Sequence, residues 1–119
     1  MKTRLLLTAF MLILLVTAHA QKQANVKGTW NMEVESPMGN GTPVFVLNHV
    51  NETTIDGTYK GRLGEATVKG TVKLNVVHLE FTISGGLIEY DGTVDGDTMK
   101  GKIKFSTMGE GSFVGTRKR

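Results

Sequence analysis

Few residues of this sequence have the side chains that acid–base, nucleophilic or metal chemistry requires. The 119-residue chain contains no cysteine and three histidines, of which His49 and His78 follow residue 20. Neither histidine can be placed in a serine–histidine–acid set. The sequence also offers no paired inward carboxylates and no phosphate-binding glycine loop. The lack of cysteine excludes a disulfide scaffold and a cysteine-based zinc site. We therefore predict a protein that is not an enzyme and that has no metal or cofactor.

Two weaker features need an explanation. Asp91, Asp95 and Asp97 around Gly96 partly resemble a calcium loop, but the twelve-residue pattern with its closing glutamate is missing. Asp-Gly is also a common hairpin turn, so no calcium site is predicted. His49 can share a face with Phe45 and Leu47, where a single histidine is more often packed than catalytic; its role stays open.

The side chains best suited to binding are aromatic. Tyrosine and tryptophan combine an apolar ring with one polar atom, which can orient a ligand in an otherwise apolar site. The candidate ligand-binding residues are Trp30, Tyr59, Phe81, Tyr90, Phe105 and Phe113. A second set lies in or beside predicted loops at one end and is interpreted as an apolar rim around an entrance or a protein-docking surface: Met38, Leu63, Leu87 and Met108.

The elements that position these residues are predicted to be strands. Side chains alternate from residue 26 onward, so that Trp30, Met32 and Val34 share one face while the residues between them are polar. The same period of two recurs through seven segments, which is typical of half-buried antiparallel strands. Residues 43–50 are apolar on both faces and form an eighth strand whose outer face the N-terminal segment could cover. No stretch after residue 25 shows a helical period.

Glycine shares the apolar parity in most of these strands. Glycine weakens a strand, but it allows the strands of a small barrel to bend where inward positions are crowded. The glycines concerned are Gly28, Gly57, Gly70, Gly92, Gly101 and Gly115. This pattern favours an all-β fold, an eight-stranded antiparallel up-and-down β-barrel, with a β-sandwich as the alternative.

Residue pairing across strands suggests a register for four hairpins. Two-residue loops at 63–64, 74–75 and 95–96 would place oppositely charged residues across from each other on the outer face. A loop at 85–86 would pair the inner residues Phe81 with Tyr90 and Ile83 with Ile88. In this register Arg62 faces Glu65, Lys69 faces Glu80, and Asp91 faces Lys100. These carboxylates are therefore interpreted as structural.

The first twenty residues read as a secretory signal peptide. A short basic start, an apolar run over residues 5–16 and the sequence Ala18-His19-Ala20 are its three parts. Removing it takes away Lys2 and Arg4 and leaves twelve basic side chains against eleven acidic ones over residues 21–119, a single barrel domain. We expect a periplasmic or extracellular protein that binds neither nucleic acid nor, after cleavage, a membrane.

Five segments resemble a small secreted bacterial β-barrel family that is lipocalin-like and avidin-like in outline. They are Gly28-Thr29-Trp30 and residues 36–47 (SPMGNGTPVFVL), 57–65 (GTYKGRLGE), 92–101 (GTVDGDTMKG) and 109–117 (GEGSFVGTR). Similar domains occur alone and attached to secreted amidohydrolases. The resemblance implies a ligand-binding style of fold. The chain is shorter than true lipocalins and has neither their cysteines nor avidin's inward polar residues, so biotin is not implied.

Two functions remain open at this point. The barrel could bind a small apolar molecule, or it could be a structural or interaction module with a filled core. The enclosed volume separates them. A cavity of roughly 300 Å³ or more near Tyr59, Tyr90 and Trp30 favours ligand binding, whereas a solid interior with an exposed apolar rim favours the interaction module.

Overall fold

The chain forms a closed barrel of eight antiparallel strands. The computed structural model describes residues 22–119, and the predicted signal peptide, residues 1–20, lies outside this part. Each strand pairs with the next in sequence and the last pairs with the first. The strands are β1 (Gly28–Glu35), β2 (Val44–His49), β3 (Thr54–Gly61), β4 (Gly64–Lys73), β5 (Val76–Ile83), β6 (Gly86–Asp95), β7 (Thr98–Phe105) and β8 (Glu110–Arg117). The predicted up-and-down barrel is confirmed, and the sandwich alternative is wrong.

The barrel interior is a single apolar core. Along β1, Trp30, Met32 and Val34 are buried, whereas the residues between them are exposed, as the period of two predicts. The other strands alternate in the same way, and within residues 22–119 no charged side chain is buried. Among these residues, no helix has the length and hydropathy that crossing a bilayer would need.

The predicted register is correct in one of the four hairpins. Lys69 lies opposite Glu80 on either side of the 74–75 loop, as expected. The other three loops lie one residue earlier or later than predicted, at 62–63, 84–85 and 96–97. Their pairings therefore differ by two residues, so that Asp91 faces Lys102 rather than Lys100. Because a shift of two keeps every side chain on its face, the inward set is unchanged.

Local backbone geometry determines which residues form these two-residue loops. Ser84 and Gly85 both have positive φ angles, of 52° and 80°, as the central residues of a tight hairpin turn of the mirror-image type require. Gly96 has φ of 59° and occupies the first loop position. Charge could not distinguish the registers, because Lys100, Lys102 and Lys104 all point outward and each offers a partner to an acidic residue on β6.

The inward glycines lie where neighbouring strands approach too closely for a side chain. A Cβ built on Gly57 would lie 1.9 Å from the carbonyl oxygen of Val46, and one on Gly101 would lie 2.0 Å from that of Asp91. Gly92 pairs directly with Gly101. These contacts support the prediction that glycine permits the bending a closed small barrel needs.

The two ends of the barrel differ. The end formed by loops 36–43, 62–63, 84–85 and 106–109 is called the open end here. The opposite end carries loops 50–53, 74–75 and 96–97 and is crossed by residues 22–27, so it is called the closed end. Val26 in this crossing segment is completely buried in the core.

Arg117 fastens the closed end. Its Nη1 donates to the carbonyl oxygens of Asn25 and Lys27, both at 2.9 Å, and its Nε donates to Oδ1 of Asp97 at 3.0 Å. The guanidinium lies 4.7 Å from the ring centroid of Trp30. The indole Nε1 of Trp30 in turn donates to the carbonyl oxygen of Val26 at 2.9 Å. The last strand is thereby tied to the segment that precedes the first.

The sequence suggests that the crossing segment covers the outer face of β2. In the structure it does not. Val46 on that face is 41% exposed. The segment instead meets the end of β2 at His49, whose Nε2 accepts a hydrogen bond from the backbone amide of Val26 at 3.0 Å. A segment without the period of two could not be assigned to a strand face from sequence alone.

Candidate ligand-binding site

A pocket of about 70 Å³ lies at the open end. Its inner wall consists of side chains from the strands, namely Val34, Tyr59, Phe81, Ile88, Tyr90 and Phe105. Its mouth is formed by the 36–43 loop and by Arg62 and Leu63 of the 62–63 loop. The strands bring these residues together because the alternation points each of them inward at the same end of the barrel.

Aromatic packing fills the interior below this pocket. The rings of Tyr59 and Phe81 are stacked, with centroids 4.3 Å apart and planes inclined by 21°. Phe45 packs edge-on against Tyr59, Phe81 and Tyr90 at 5.0–5.9 Å. The inward glycines leave space inside the barrel, but the inward aromatic rings occupy that space. The space open to a ligand is therefore shallow and lies above the aromatic cluster.

Tyr90 brings an unpaired hydroxyl group to this pocket. Burial raises the pKa of Tyr90 far above its usual value, and neighbouring Tyr59 raises it further, so the phenol stays protonated and can donate. Within residues 22–119 the Tyr90 hydroxyl forms no hydrogen bond. It is not sealed in the core either, because every fully buried side-chain nitrogen or oxygen in this part has a partner. The hydroxyl is thus not fully enclosed, and Tyr90 is one of the residues that line the pocket.

Tyr59 is more constrained. Burial raises the pKa of its hydroxyl, while the Leu63 backbone and the positive charge of Arg62 lower it in part. The hydroxyl lies beside Gly61, where an added Cβ would approach it to 2.6 Å. Glycine at position 61 therefore leaves space for this phenol near the mouth of the pocket.

The structure separates the six predicted aromatic residues into two groups. Four line the pocket, namely Tyr59, Phe81, Tyr90 and Phe105. Trp30 lies instead at the closed end beneath Arg117, and Phe113 packs against Tyr90 with ring centroids 4.9 Å apart, outside the pocket lining.

The four predicted rim residues are also divided. Met38 and Leu63 are exposed and line the pocket mouth. Leu87 and Met108 are exposed but do not line it. Leu87 belongs to β6 on the outer face of the barrel, opposite Thr82, and Met108 lies in the 106–109 loop.

Arg62 is a pocket residue that the sequence analysis missed. Charge pairing predicts Arg62 on the outer face opposite Glu65, but Lys60 takes that place and Arg62 lies in the loop. Its Nη1 donates to the carbonyl oxygen of Asn40 at 2.5 Å, which joins the two loops of the mouth. A Cβ on Gly39, where φ is +110°, would lie 2.6 Å from the same Nη1. The glycine-rich 36–43 loop therefore makes room for the arginine.

A separate cluster lies on the outer face. His78 Nδ1 is 2.5 Å from Oδ1 of Asp91, and its Nε2 is 3.0 Å from Oε1 of Glu80. Burial lowers the pKa of His78, but the hydrogen bonds to Asp91 and Glu80 outweigh it and raise the pKa above 6.5. Glu80 also faces Glu89 directly. The raised pKa favours a positive charge on His78, which would reduce the repulsion between these carboxylates.

Asp97 is engaged elsewhere. It pairs with Arg117 and Arg119 at the closed end, so it is not free to join Asp91 and Asp95 as a calcium ligand.

These features define a small up-and-down barrel that is closed at one end and carries a shallow, mostly apolar pocket at the other. Solved structures with a similar fold include two designed barrels and a natural protein. A de novo designed fluorescence-activating β-barrel is 18% identical with a TM-score of 0.63, covering 84% of this chain and all of that one. A redesigned β-barrel, mFAP1, bound to DFHBI, is 16% identical with a TM-score of 0.59, covering 78% and 94%.

The third is natural. Fatty-acid-binding protein 1 of Echinococcus granulosus is 14% identical with a TM-score of 0.52, covering 79% of this chain and 98% of that one. At such low identity, these likenesses show the fold alone. No protein-family model matches the chain, and no curated protein sequence matches it.

Proposed function

We propose that this protein binds a small apolar molecule in the pocket at the open end of the barrel. The observation that carries the proposal is an apolar, aromatic-walled pocket whose lining includes Tyr90, a tyrosine whose hydroxyl has no hydrogen bond within residues 22–119. Ligand sites commonly combine such walls with very few polar groups that fix orientation. The fold neighbours support the same class of function, since one is described as bound to DFHBI and another as fatty-acid-binding.

The ligand is small, or only one end of it enters. The pocket's volume of about 70 Å³ is well below the roughly 300 Å³ of a site for a drug-sized molecule. The stacked Tyr59 and Phe81 rings block further entry. We therefore place the ligand at the mouth, above the aromatic cluster.

We further propose that binding takes place outside the cytoplasm. This rests on the signal-peptide pattern of residues 1–20 and is tested by determining the N-terminal residue of the protein recovered from the host periplasm or medium. A mature chain that starts at Gln21 is expected. Retention of Met1 in the cytoplasmic fraction would contradict it.

The second candidate is a protein-interaction module. The filled interior favours it, together with the exposed side chains of Met38, Leu63, Leu87 and Met108 around the open end. In that case the rim itself would be the functional surface, and no small molecule would need to enter.

A nuclear magnetic resonance titration separates the two candidates. Small aromatic and aliphatic probes are added to uniformly ¹⁵N-labelled protein, and amide shifts are followed. Binding in the pocket should move resonances of Met38, Leu63 and Tyr90 but not those of loop 74–75. Leu63→Ala should alter affinity, whereas Leu74→Ala, a similarly exposed leucine at the closed end, should not. If no probe perturbs the open end up to its solubility limit, the ligand-binding proposal is wrong.

A further inference from the structure

We infer that the ligand is a small aromatic carboxylate whose ring enters the pocket and whose carboxylate binds Arg62. The inference rests on the proposed function, because it names the ligand class of the same pocket. It begins from charge: among the residues that line the pocket, Arg62 alone is ionised at neutral pH. An apolar pocket with one cation at its mouth is complementary to a molecule with an apolar body and a single negative charge.

The Arg62 guanidinium is held in place by its neighbours and has further N–H donors that can bind a ligand. Its Nη1 bonds to the carbonyl oxygen of Asn40, and Gly39 and Gly41 lie against the side chain, with room that a Cβ would take away. Within residues 22–119 no carboxylate lies within 4.0 Å of Arg62. Glu65, which is close to it in sequence, pairs with Lys60 at 3.4 Å. The remaining N–H groups form a planar fork that matches a carboxylate.

The size and walls of the pocket indicate the apolar part. An enclosed cavity of about 150 Å³ holds one benzene ring, and this pocket is smaller but open at its mouth. One ring can therefore enter only partly, which leaves its substituent at the level of Arg62. The rings of Tyr59, Phe81, Tyr90 and Phe105 offer faces and edges to a planar aromatic group, an arrangement that aromatic pairs favour over contact with a saturated chain.

Four probes of similar skeleton test the inference by calorimetric or NMR titration at low ionic strength. They are phenylacetate, the neutral 2-phenylethanol, the cationic 2-phenylethylamine and the saturated cyclohexylacetate. Phenylacetate should bind about fivefold more tightly than 2-phenylethanol, and the amine more weakly than either. Cyclohexylacetate should bind more weakly than phenylacetate.

Two variants isolate the charge of Arg62. Arg62→Gln should abolish the fivefold preference for phenylacetate over 2-phenylethanol. The ratio of the two affinities is the readout because loss of the Arg62–Asn40 hydrogen bond acts on both probes. Lys104→Gln removes an equal charge from the outer face near the same end and should change neither affinity.

Each other outcome overturns a specific part. If 2-phenylethanol binds the wild type as tightly as phenylacetate, or Arg62→Gln keeps the preference for phenylacetate, the carboxylate assignment is wrong while the pocket remains a binding site. If cyclohexylacetate equals phenylacetate, the aromatic assignment is wrong. If none of the four binds, the proposed function itself fails.

Discussion

The imidazole of His49 accepts a hydrogen bond from the backbone amide of Val26, with 3.0 Å between Nε2 and the amide nitrogen. An acceptor at Nε2 requires the proton to be on Nδ1, which lies 3.0 Å from the carbonyl oxygen of Asn51 and donates to it. The histidine thus links the end of β2, the 50–53 loop and the crossing segment 22–27. This is a structural role for the residue whose function the sequence left open.

Replacing His49 by phenylalanine tests this link. The change keeps an aromatic ring but leaves the Val26 amide without its acceptor, so the free energy of unfolding should fall by about 1–3 kcal/mol. Urea denaturation measures the loss, and hydrogen exchange of the Val26 amide should accelerate. An unaltered exchange rate at Val26 would show that the hydrogen bond does not hold the segment.

Arg117 should be more important to the closed end than its charge suggests. Arg117→Lys keeps the charge but loses the fork that reaches Asn25, Lys27 and Asp97, so it should destabilise the fold by about 2 kcal/mol. Trp30 is the sole tryptophan and lies under the guanidinium, so its fluorescence reports both the variant's environment and its unfolding.

The control is Arg119→Lys, which also touches Asp97 but is 83% exposed. Its effect should stay within about 0.5 kcal/mol. Equal losses in the two variants would mean that the Arg117 contacts with Asn25 and Lys27 add nothing to the stability of this end.

The bend at Gly92 should not tolerate a side chain. A Cβ there would lie 2.2 Å from the carbonyl oxygen of Lys100, so Gly92→Val should cost more than about 3 kcal/mol or prevent folding. Gly86→Ala is the matched control, because its Cβ would have 3.8 Å of clearance and its φ is not in the left-handed region. That variant should be neutral or slightly stabilising in thermal unfolding. Normal melting of the Gly92 variant would contradict the proposed cause of barrel closure.

How far the sequence predicts this molecule depends on what fixes each feature. Alternation identified which face of β1 and β6 is buried, because burial of one face has a single solution at period two. It could not choose between registers two residues apart, since Lys100 and Lys102 satisfy Asp91 equally well. The same ambiguity in the β3–β4 hairpin predicts Arg62 on the outer face opposite Glu65. The structure has Lys60 in that place and Arg62 at the pocket mouth.

The volume of the pocket is set by packing rather than by residue type. Tyr59 and Phe81 fill the barrel because their rings stack at 4.3 Å, a detail of side-chain rotamers that no linear pattern encodes. Segment 22–27 could not be predicted either, because it lacks a strand period. It is held by a hydrogen bond that Arg117 donates to Asn25 and by one that Val26 donates to His49.

The outer-face cluster should make stability depend on pH. The pKa of His78 is raised in the folded state above its usual value of 6.5, despite the opposing effect of burial, by its bonds to Asp91 and Glu80. A raised folded-state pKa adds stability that is fully present below pH 6.5 and is lost as pH rises through the folded-state value. Wild-type stability relative to His78→Gln should therefore decline from about pH 6 to pH 8, as measured by urea denaturation. A difference that is constant over this range would show that the histidine is not charged by its neighbours.

Removing the Tyr90 hydroxyl should separate binding from stability. Within the described residues no hydrogen bond acts on this hydroxyl, so Tyr90→Phe should leave the free energy of unfolding unchanged within about 0.5 kcal/mol or raise it slightly. The wild-type Tyr59 hydroxyl interacts with the Leu63 backbone, so Tyr59→Phe should instead lower the free energy of unfolding. Binding of 2-phenylethanol or phenylacetate should weaken in Tyr90→Phe if the hydroxyl orients the ligand. A stable Tyr90→Phe protein with wild-type affinity for both probes would remove the hydroxyl from the binding site and leave only the apolar walls.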